Sequence, residues 1–370
     1  MNKHFVFHIR EYNDCDHLTP VMWKLLSEDH KVICVPYYGF DALSDFRIKF
    51  LLKNFQNFKV INLPRIYKSK SAFFFKVFEK SGIRNKFVVL IFKILNLPFK
   101  YMEKSIFKGN PVMIWDWGNP GRLNHFESII YKIATVVLPH GIDIFTNRYD
   151  GRSTDLSDRS IYDYYLLNDE FQKQISIKKH QMSPSNLIVK GVPRFSSEWI
   201  KVLHTFIPEF KFGDISNKKV VYFLPHADFS PNIELIEKLI EALSLVKDVS
   251  VVVKMSTRQK NIFRPKGSKT EGSYKNINFD EDTPSTSLIQ WSDIVINHGS
   301  SIVFDALQMK KDVIHASFLD NLNTIFDKSE CVHLPKSINE LLEIIQHPNI
   351  QKKDVEAFVN KRIYLNSYVD

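Results

Sequence analysis

Residues 292–307, SDIVINHGSSIVFDAL, combine the side chains and the turn that best suit binding of an anion. Their apolar spacing predicts a buried strand, then a polar turn at His298 and Gly299, then a helix opened by Ser300 and Ser301. Such a turn points free backbone N–H groups, two hydroxyls and the positive end of a helix dipole at one place. A phosphate suits that place.

Capping of the helix is the structural alternative for these residues. A serine at a helix N-terminus normally accepts a hydrogen bond from the backbone, and His298 would then only fill the turn. Capping accounts for one serine but not for a pair beside a histidine and a glycine. We therefore predict that residues 298–301 bind a phosphate, as turns at the carboxyl ends of strands do in open α/β sheets.

Short runs of valine and isoleucine alternate with helix-like segments along the chain. Each run ends in a Gly, Pro or Asp turn, as central strands of parallel sheets do. The length of 370 residues, 44% of them hydrophobic, exceeds one ordinary core and suffices for two. The predicted fold is α/β, with two Rossmann-like doubly wound domains facing a cleft.

The predicted division places an N-terminal domain at 1–207, an irregular linker at 208–219 and a C-terminal domain at 220–370. In the first domain, a loop over 10–20 leads into a helix over 21–27. Strands are predicted there at 4–9, 31–37, 59–64, 111–118 and 135–143. In the second domain they are predicted at 220–228, 249–256, 276–280, 294–296 and 312–317.

Polar residues follow several strands of the first domain, where the functional groups of a doubly wound sheet belong. They are Asp14, Asp16, Asp116, His140 and Asp143.

The net charge of +9 is concentrated in one stretch. Residues 65–108 hold eleven Lys and Arg against two acidic residues, interleaved with aromatic residues, and predict basic aromatic helices. Such helices suit an anionic membrane surface, and the alternative is a pair of core helices with a solvated basic face. Binding of nucleic acid is not expected, because no recognised motif accompanies the charge.

Three cysteines lie far apart, without the spacing of a metal site or a disulfide framework. The N-terminus has no apolar signal core, and the longest apolar run in 65–108 is too short to span a bilayer. A cytoplasmic protein is expected, with peripheral attachment to the inner face of the plasma membrane as a further expectation.

Four segments resemble landmarks of GT-B glycosyltransferases, and more narrowly of bacterial surface-polysaccharide enzymes related to the CDP-glycerol glycerophosphotransferases. The segments are LPHGIDIF (138–145), KGVPRFSS (190–197), VVYFLPHADFS (220–230) and SDIVINHGSSIVFDAL (292–307). The resemblance covers roughly residues 135–316, and the first 130 residues share only the general pattern.

The departures from that family bear on the donor. This chain has HGSS where the family has Asp-Tyr-Ser-Ser. It has LPHAD in place of a Pro-Thr-x-Arg loop, and KMSTRQ in place of a Lys-x-His-Pro motif. They favour a sugar donor over a polyol-phosphate donor. Paired serines and a Pro-His loop also occur in transferases of CMP-activated acidic sugars, so a cytidine nucleotide is an expectation.

The resemblance implies roles for residues at the strand ends. Glycosyl transfer needs a base for the acceptor hydroxyl, and His140 is the first candidate because imidazole titrates near neutral pH. Asp143 would orient it, and Asp116 is the second candidate base or an acceptor-binding carboxylate. His140 bonded only to backbone is the structural alternative.

The departing nucleotide phosphate needs cations or N–H groups. The residues expected around it are His226, Lys254, Arg258, His298, Gly299, Ser300 and Ser301. For Asp305, a structural role is as good an interpretation as a place in the phosphate site. Arg194 would reach across the hinge or pin the linker.

The predicted activity is transfer of a sugar from a nucleotide donor to a lipid-linked or growing surface glycan, such as capsule, O-antigen or lipooligosaccharide. Three alternatives stay open: a polyol-phosphate transferase of the same architecture, a non-hydrolysing nucleotide-sugar epimerase and a non-catalytic nucleotide-binding partner. No metal or other cofactor is expected. The DxD patterns at 14–16 and 280–282 are frequent by chance and belong to another transferase fold.

Overall fold

The structure is a computed structural model. It describes residues 3–37, 39–65, 73, 86–95, 100–116, 125–139, 141–142, 144–146, 162–214, 217–225, 232–255, 275–319, 323–347 and 355–363.

The chain divides into two compact units that are not simply its two halves. Unit 1 comprises Met1–Gly141, Thr154–Phe206 and Ile363–Asp370, and unit 2 comprises Ile142–Ser153 and Ile207–Arg362. One boundary between the units lies between Phe206 and Ile207. The predicted domain bounds, 1–207 and 220–370 with a linker at 208–219, stay a prediction.

Unit 1 is built on a seven-stranded sheet in the order β3-β2-β1-β4-β5-β6-β7, with every neighbouring pair parallel. Its strands are β1 (His4–Ile9), β2 (Lys31–Pro36), β3 (Phe58–Val60), β4 (Val112–Asp116), β5 (Thr135–Leu138), β6 (Tyr164–Leu167) and β7 (Leu187–Val189). The chain proceeds outward from β1 to β3 and then returns to pair β4 with β1. The topological switch point of this sheet therefore lies between β1 and β4.

Described helices of unit 1 connect these strands or flank them. They are α1 (Tyr12–Ser27), α2 (Phe46–Asn54), α3 (Lys86–Leu95), α4 (Lys100–Phe107), α5 (His125–Tyr131), α6 (Glu170–Lys178) and α7 (Ser197–Leu203). Leu18, Met22 and Leu26 of α1 are buried against one face of the sheet. Side chains from α4 contribute to the core on the other face.

The first helix departs from the sequence prediction. It begins at Tyr12, so most of the predicted loop over 10–20 is helical and contains Pro20 within a helix. The prediction was wrong because Pro and clustered Asp usually interrupt helices. Here burial of apolar side chains on one helix face outweighs the hydrogen bond that Pro20 cannot donate.

A buried guanidinium group joins α1 to the start of α2. The Arg47 side chain bonds to Asp45 (Nη2 to Oδ2, 2.6 Å) and to Asp16, and it lies 4.4 Å from the ring centroid of Tyr12. Asp45 also caps α2 through the N–H groups of Arg47 and Ile48. Because charge is costly to bury without partners, this cluster links the two helices only as an intact set.

Unit 2 holds a five-stranded sheet in the order β10-β9-β8-β11-β12, also parallel throughout. The strands are β8 (Lys218–Phe223), β9 (Val249–Lys254), β10 (Ile277–Asp280), β11 (Ile294–Asn297) and β12 (Asp312–His315). The helices are α8 (Ile233–Ser244), α9 (Ser285–Trp291), α10 (Ile302–Gln308), α11 (Ile338–Gln346) and α12 (Val355–Ile363). Strand order reverses between β8 and β11, which places the switch point there.

The continuous apolar runs of unit 2 form the central strands of its sheet, as predicted. All residues of β9 and β11 are buried, as expected for strands covered on both faces of a sheet. The described residues of the predicted linker at 208–219 belong to unit 2. Phe210 and Phe212 pack against Trp291, and β8 begins at Lys218.

Most of the basic segment 65–108 lies outside the described residues. Within the described part, α3 and α4 are helical as predicted. Among the helices that are described, none is long and apolar enough to cross a bilayer.

Candidate functional site

The turn formed by residues 297–301 lies at the switch point of unit 2. β11 ends at Asn297, and it pairs with β8 on one side and β12 on the other. Crevices outside the carboxyl ends of such strands are where ligands bind in open α/β sheets. The segment that the sequence singled out for anion binding therefore occupies the position in this unit where a ligand is expected.

Hydrogen bonds within the turn separate the roles of its two serines. Asn297, fully buried, donates from Nδ2 to the Ser300 carbonyl (3.2 Å), which closes the turn. Ser300 Oγ accepts from the N–H of Ile302 at 3.3 Å. Ser301 is the N-cap residue of α10, yet its hydroxyl makes no capping bond. Capping thus accounts for Ser300 and leaves the half-buried Ser301 hydroxyl for another purpose.

Gly299 lies at the apex of the turn with φ of +68°, in the left-handed region that favours glycine. A Cβ at this position would lie 3.1 Å from Cζ of Phe145. Phe145 is held there by a short antiparallel pairing within unit 2. Thr146 N–H donates to the Asn323 carbonyl and Ile325 N–H to the Ile144 carbonyl, each at 2.9 Å.

His298 belongs to the same turn, but its side chain is only 2% exposed. The serine side chains are more accessible than the imidazole. The groups of this turn that a ligand meets first are therefore the serines.

Lys254, also predicted as a phosphate ligand, lies elsewhere along the same edge. It ends β9, and its Nζ is 3.1 Å from Asp280 Oδ1 at the end of β10. Since β8 lies between β9 and β11, the Lys254 backbone is about two strand spacings, or roughly 10 Å, from the turn. Asp280 also accepts from the N–H and hydroxyl of Thr283, so the DxD pattern at 280–282 contributes to a strand-end network.

Four predicted site residues, His140, Asp143, His226 and Arg258, lie outside the described residues. Their roles stay predictions.

Asp116 lies at the switch point of unit 1, as the last residue of β4. Its Oδ1 accepts from Arg10 Nη2 at 3.0 Å, and the same nitrogen contacts Asp14 Oδ1 at 2.9 Å. Both carboxylates are buried. The predicted carboxylate is thus part of an Arg10–Asp14–Asp116 cluster at a ligand-binding position of the sheet.

In this cluster, burial and ion pairing shift the pKa values of Asp14 and Arg10 in opposite directions. Burial raises the pKa of Asp14, although hydrogen bonds from Arg10 lower it. Burial alone lowers the pKa of Arg10, but Asp14 and Asp116 raise it above its ordinary value. Sequence reasoning missed Arg10, whose position directly after a predicted strand was the available signal.

A second residue that the sequence did not single out lies beside the predicted catalytic loop. Asn168 follows β6 directly, and its Nδ2 donates to the Gly141 carbonyl at 2.5 Å. Gly141 adopts φ of +74° and is the chain neighbour of His140. This long-range bond had no signal in the sequence.

Arg194 lies in a single 3-10 turn, Pro193–Phe195, of unit 1. Its guanidinium carbon is 4.9 Å from the ring centroid of Phe195, and its charge helps to lower the pKa of Asp16. Both of these partners belong to unit 1, and the two predicted roles of Arg194 stay predictions.

Among the described residues, no group of three or more His, Cys, Asp or Glu side chains is placed to hold a metal ion. The other DxD pattern, Asp14 and Asp16, is divided between two clusters, one with Arg10 and one with Arg47.

Comparison with known proteins gives structural neighbours but no sequence relatives. No family model matches the chain, and no curated protein matches it. A glycosyltransferase from Rickettsia africae ESF-5 superposes with a TM-score of 0.53 at 14% identity, covering 99% of this chain and 96% of the other.

Two further solved structures broaden the set. UDP-GlcNAc 2-epimerase from Neisseria meningitidis bound to UDP-GlcNAc gives a TM-score of 0.56 at 12% identity, with 96% and 97% coverage. The wall teichoic acid polymerase TagF gives 0.54 at 13% identity, covering 98% of this chain and 84% of the other. The chain therefore has the two-sheet α/β fold of GT-B-type glycosyltransferases and nucleotide-sugar epimerases, as its sequence predicted.

Proposed function

We propose that the protein is a glycosyltransferase that takes a sugar from a nucleotide donor and adds it to a glycan or lipid-linked acceptor. The observation that carries the proposal is the position of the 297–301 turn, at the switch point of a unit whose fold is shared with enzymes of nucleotide sugars. A surface polysaccharide is the proposed acceptor class, and a cytidine nucleotide is the first donor to test.

The 297–301 turn would bind the donor phosphate. Backbone N–H groups near Gly299 and the hydroxyl of Ser301 would donate to phosphate oxygens, and these bonds strengthen as the leaving phosphate gains charge. Ser300 would shape the turn through its bond to Ile302. Lys254 is paired with Asp280, so its proposed contribution is longer-range electrostatic attraction.

Transfer requires that an acceptor hydroxyl oxygen bond to the anomeric carbon as the bond from that carbon to the nucleotide phosphate breaks. The hydroxyl proton passes to a base, for which His140 is proposed, with Asp143 orienting its ring. Asp116 is the proposed second acceptor-domain residue. Its pairing with Arg10 favours binding of acceptor hydroxyls over proton abstraction.

The test combines binding with turnover. Thermal shift against CMP, CDP, UDP, GDP and ADP should show stabilisation by the matching nucleotide, because a ligand bound only to the folded state raises apparent stability. His140→Ala should then abolish sugar transfer while nucleotide affinity is retained. Activity should persist in EDTA, since the scheme uses no metal. No response to any nucleotide would reject the role of the 297–301 turn.

Two alternatives have support from the structural comparisons. Epimerases of UDP-GlcNAc share the fold, and an epimerase would convert its nucleotide sugar without an acceptor. TagF also shares it, so a polyol-phosphate transferase is the other alternative, distinguished by consumption of a CDP-polyol. Product analysis with and without acceptor separates all three activities.

The proposed acceptor side also includes a membrane surface. On α3, Leu90 and Ile94 are 54% and 53% exposed and Lys93 is exposed, whereas Phe92 is buried. An apolar face accompanied by a basic residue, in a segment with a strong positive charge, fits an anionic lipid surface. This face would bring the enzyme to a lipid-linked acceptor.

A further inference from the structure

A short segment after β12 is fixed by the side chain of one buried threonine. Thr324, 7% exposed, donates its backbone N–H to Asp327 Oδ2 at 2.7 Å and its hydroxyl to Asp327 Oδ1 at 2.9 Å. Its Oγ1 also accepts from the N–H of Phe326 at 3.2 Å. The carboxylate and the hydroxyl together therefore hold residues 324–327 in one hydrogen-bonded turn.

The same hydroxyl attaches this segment to the end of β12. Thr324 Oγ1 lies 3.1 Å from Nε2 of His315, the last residue of β12, whose side chain is buried. A hydroxyl has one hydrogen, and that of Thr324 goes to Asp327, so Nε2 of His315 is the donor. His315 is paired in register with Asn297 of β11. Thr324 is thus fixed to the strand beside the one that leads into the 297–301 turn.

The backbone at Thr324 also determines where Phe145 lies. The two residues form an isolated antiparallel bridge, which two backbone hydrogen bonds of 2.9 Å flank. The Phe145 ring in turn lies against Gly299, where a Cβ would come within 3.1 Å of its Cζ. All of these residues belong to unit 2. A packed series of contacts therefore runs from the Thr324 hydroxyl to the apex of the 297–301 turn.

We propose that Thr324 is a positioning residue for the 297–301 turn and acts through Phe145. By fixing the backbone that pairs with Phe145, it holds the ring against Gly299 and keeps the N–H groups of the turn in one direction. The inference rests on the proposed function, in which this turn binds the donor phosphate. N–H groups that are already in place bind an anion more strongly, because they need not reorganise when it arrives.

Thr135 provides a matched control. Its backbone N–H and hydroxyl likewise donate to one carboxylate, that of Asp163, at 2.8 and 2.9 Å, and its hydroxyl accepts from a backbone N–H at 2.9 Å. It is also buried, at 3% exposed, but it begins β5 in unit 1, whereas ligands of such sheets bind at the carboxyl ends of strands. Thr324→Val and Thr135→Val remove the same kind of hydroxyl, and only the first is expected to alter the 297–301 turn.

The first readout is the amide signal of Gly299 in the NMR spectrum of the full chain without ligand. When histidine carbonyls and glycine amides are isotopically labelled, only the His-Gly pairs at 140–141 and 298–299 give a correlation, and His140→Ala removes the first. An aromatic ring shifts nearby nuclei according to its distance and orientation. Thr324→Val should therefore move the Gly299 signal, and the control variant should not. An unchanged signal in Thr324→Val overturns the proposal.

The second readout is the affinity for CDP, measured by calorimetric titration. Thr324→Val is expected to weaken binding about 3- to 30-fold, as for a residue that shapes a site without touching the ligand. Thr324→Ser should bind nearly as wild type does, because serine keeps the hydroxyl. Phe145→Leu should also weaken binding, and the double variant should bind no more weakly than Phe145→Leu alone, since residues that act through one contact are not additive. Losses that multiply overturn the proposal.

The inference and the proposed function fail in different ways. If Ser301→Ala weakens CDP binding and Thr324→Val does not, the turn binds phosphate and Thr324 has no part in it. If Thr324→Val moves the Gly299 signal while neither variant alters CDP binding, Thr324 positions the turn and the phosphate role of the turn is wrong.

A second pair of variants serves if Thr324→Val does not fold, as judged by near-ultraviolet circular dichroism. The two bonds from Thr324 use different oxygens of Asp327, so Asp327→Asn must lose one of them. Both bonds from Thr135 use the same oxygen of Asp163, so Asp163→Asn can keep both. Asp327→Asn should move the Gly299 signal and weaken CDP binding, with Asp163→Asn as its control, and an unchanged Gly299 signal again overturns the proposal.

Discussion

Gly299 is a position at which the backbone conformation and the packing both disfavour a side chain. Its φ of +68° disfavours any residue with a Cβ, and Phe145 occupies the space that the Cβ would need. Gly109 shares a positive φ, +89°, but a Cβ there would meet nothing within 4 Å. Substitution of Gly109 by alanine therefore measures the cost of the backbone conformation alone. Substitution of Gly299 measures that cost together with the cost of the contact with Phe145.

Gly299→Ala is expected to lower the free energy of unfolding by more than Gly109→Ala. The backbone term should cost about 1 to 2 kcal/mol in each variant, and contact with the Phe145 ring adds to it only at Gly299. Urea denaturation of both variants measures the difference. Adding Phe145→Leu should recover part of the loss for Gly299→Ala, and equal losses at both glycines would show that the ring yields freely.

Ser301 should affect ligand binding without affecting stability. Because its hydroxyl makes no capping bond, Ser301→Ala is expected to leave the Tm unchanged and to weaken nucleotide binding by about 1 to 3 kcal/mol, as for a lost hydrogen bond to a charged group. Thermal shift and calorimetric titration measure the two quantities.

Ser337 provides the opposite control within unit 2. Its hydroxyl caps α11 by accepting from Glu340 N–H at 3.3 Å. Ser337→Ala should cost about 0.5 to 2 kcal/mol of stability and leave nucleotide affinity intact. If Ser301→Ala behaves like Ser337→Ala, Ser301 has only a structural role.

At the scale of elements, the Arg47 cluster determines how α1 meets α2. Burial alone raises the pKa of Asp16, but Arg47, together with Arg194 and His17, more than reverses this and holds it below the ordinary value of 3.8. A depressed carboxyl pKa contributes stability that is fully present above about pH 4 and is lost as the pH falls through the folded-state pKa. The cluster thus makes unit 1 sensitive to acid.

Arg47→Met is expected to destabilise the protein by about 3 to 5 kcal/mol at pH 7, since it leaves Asp16 and Asp45 without their cation. In the variant, burial raises the pKa of Asp16, so protonation favours its folded state. The difference from wild type should therefore shrink as the pH falls from 7 to 3.

Denaturation midpoints at several pH values measure this difference, and a gap that is constant with pH contradicts the account. Lys238→Met, which removes an exposed pair with Glu234, is the control and should leave stability nearly unchanged at every pH.

Elements with a strong local pattern were predictable, and those decided by distant contacts were not. β1 was predicted at its observed bounds, because HFVFHI has continuous apolar character before a charged turn. The start of α1 was misplaced, because Pro20 and the aspartates are tolerated only through burial and through pairing with Arg10 and Arg47.

The same distinction applies to the candidate site. The 297–301 turn was predictable because its residues are contiguous. Lys254 and Asp280 are 26 residues apart, and Asn168 and Gly141 are 27 apart, so neither pairing leaves a local signal. The strands β6 and β7 were not predicted, since YYLL and LIV are too short to stand out from their surroundings.

At the scale of the whole molecule, the +9 net charge and the exposed face of α3 bear on lipid binding. The protein is expected to cosediment with vesicles containing phosphatidylglycerol and not with phosphatidylcholine alone, and salt should weaken the association. Leu90→Ser with Ile94→Ser should reduce binding without affecting nucleotide affinity.

Leu245→Ser is the matched control for that experiment. Leu245 is a more exposed apolar residue, at 78%, but it belongs to unit 2 and not to the basic segment. Equal loss of vesicle binding in the two variants would mean that general surface hydrophobicity, not the face of α3, drives the association.

The return of residues 363–370 to unit 1, after the chain has formed unit 2, affects how the protein is synthesised and how it can be truncated. Unit 1 includes Ile363, whose carbonyl accepts from Val192 N–H at 3.1 Å, so unit 1 is completed by residues that follow unit 2 in the chain. During synthesis, the backbone N–H of Val192 therefore lacks this partner until all of unit 2 has been made. A fragment cut near residue 207 likewise lacks that closing segment, and co-expression of both pieces is the natural way to recover it.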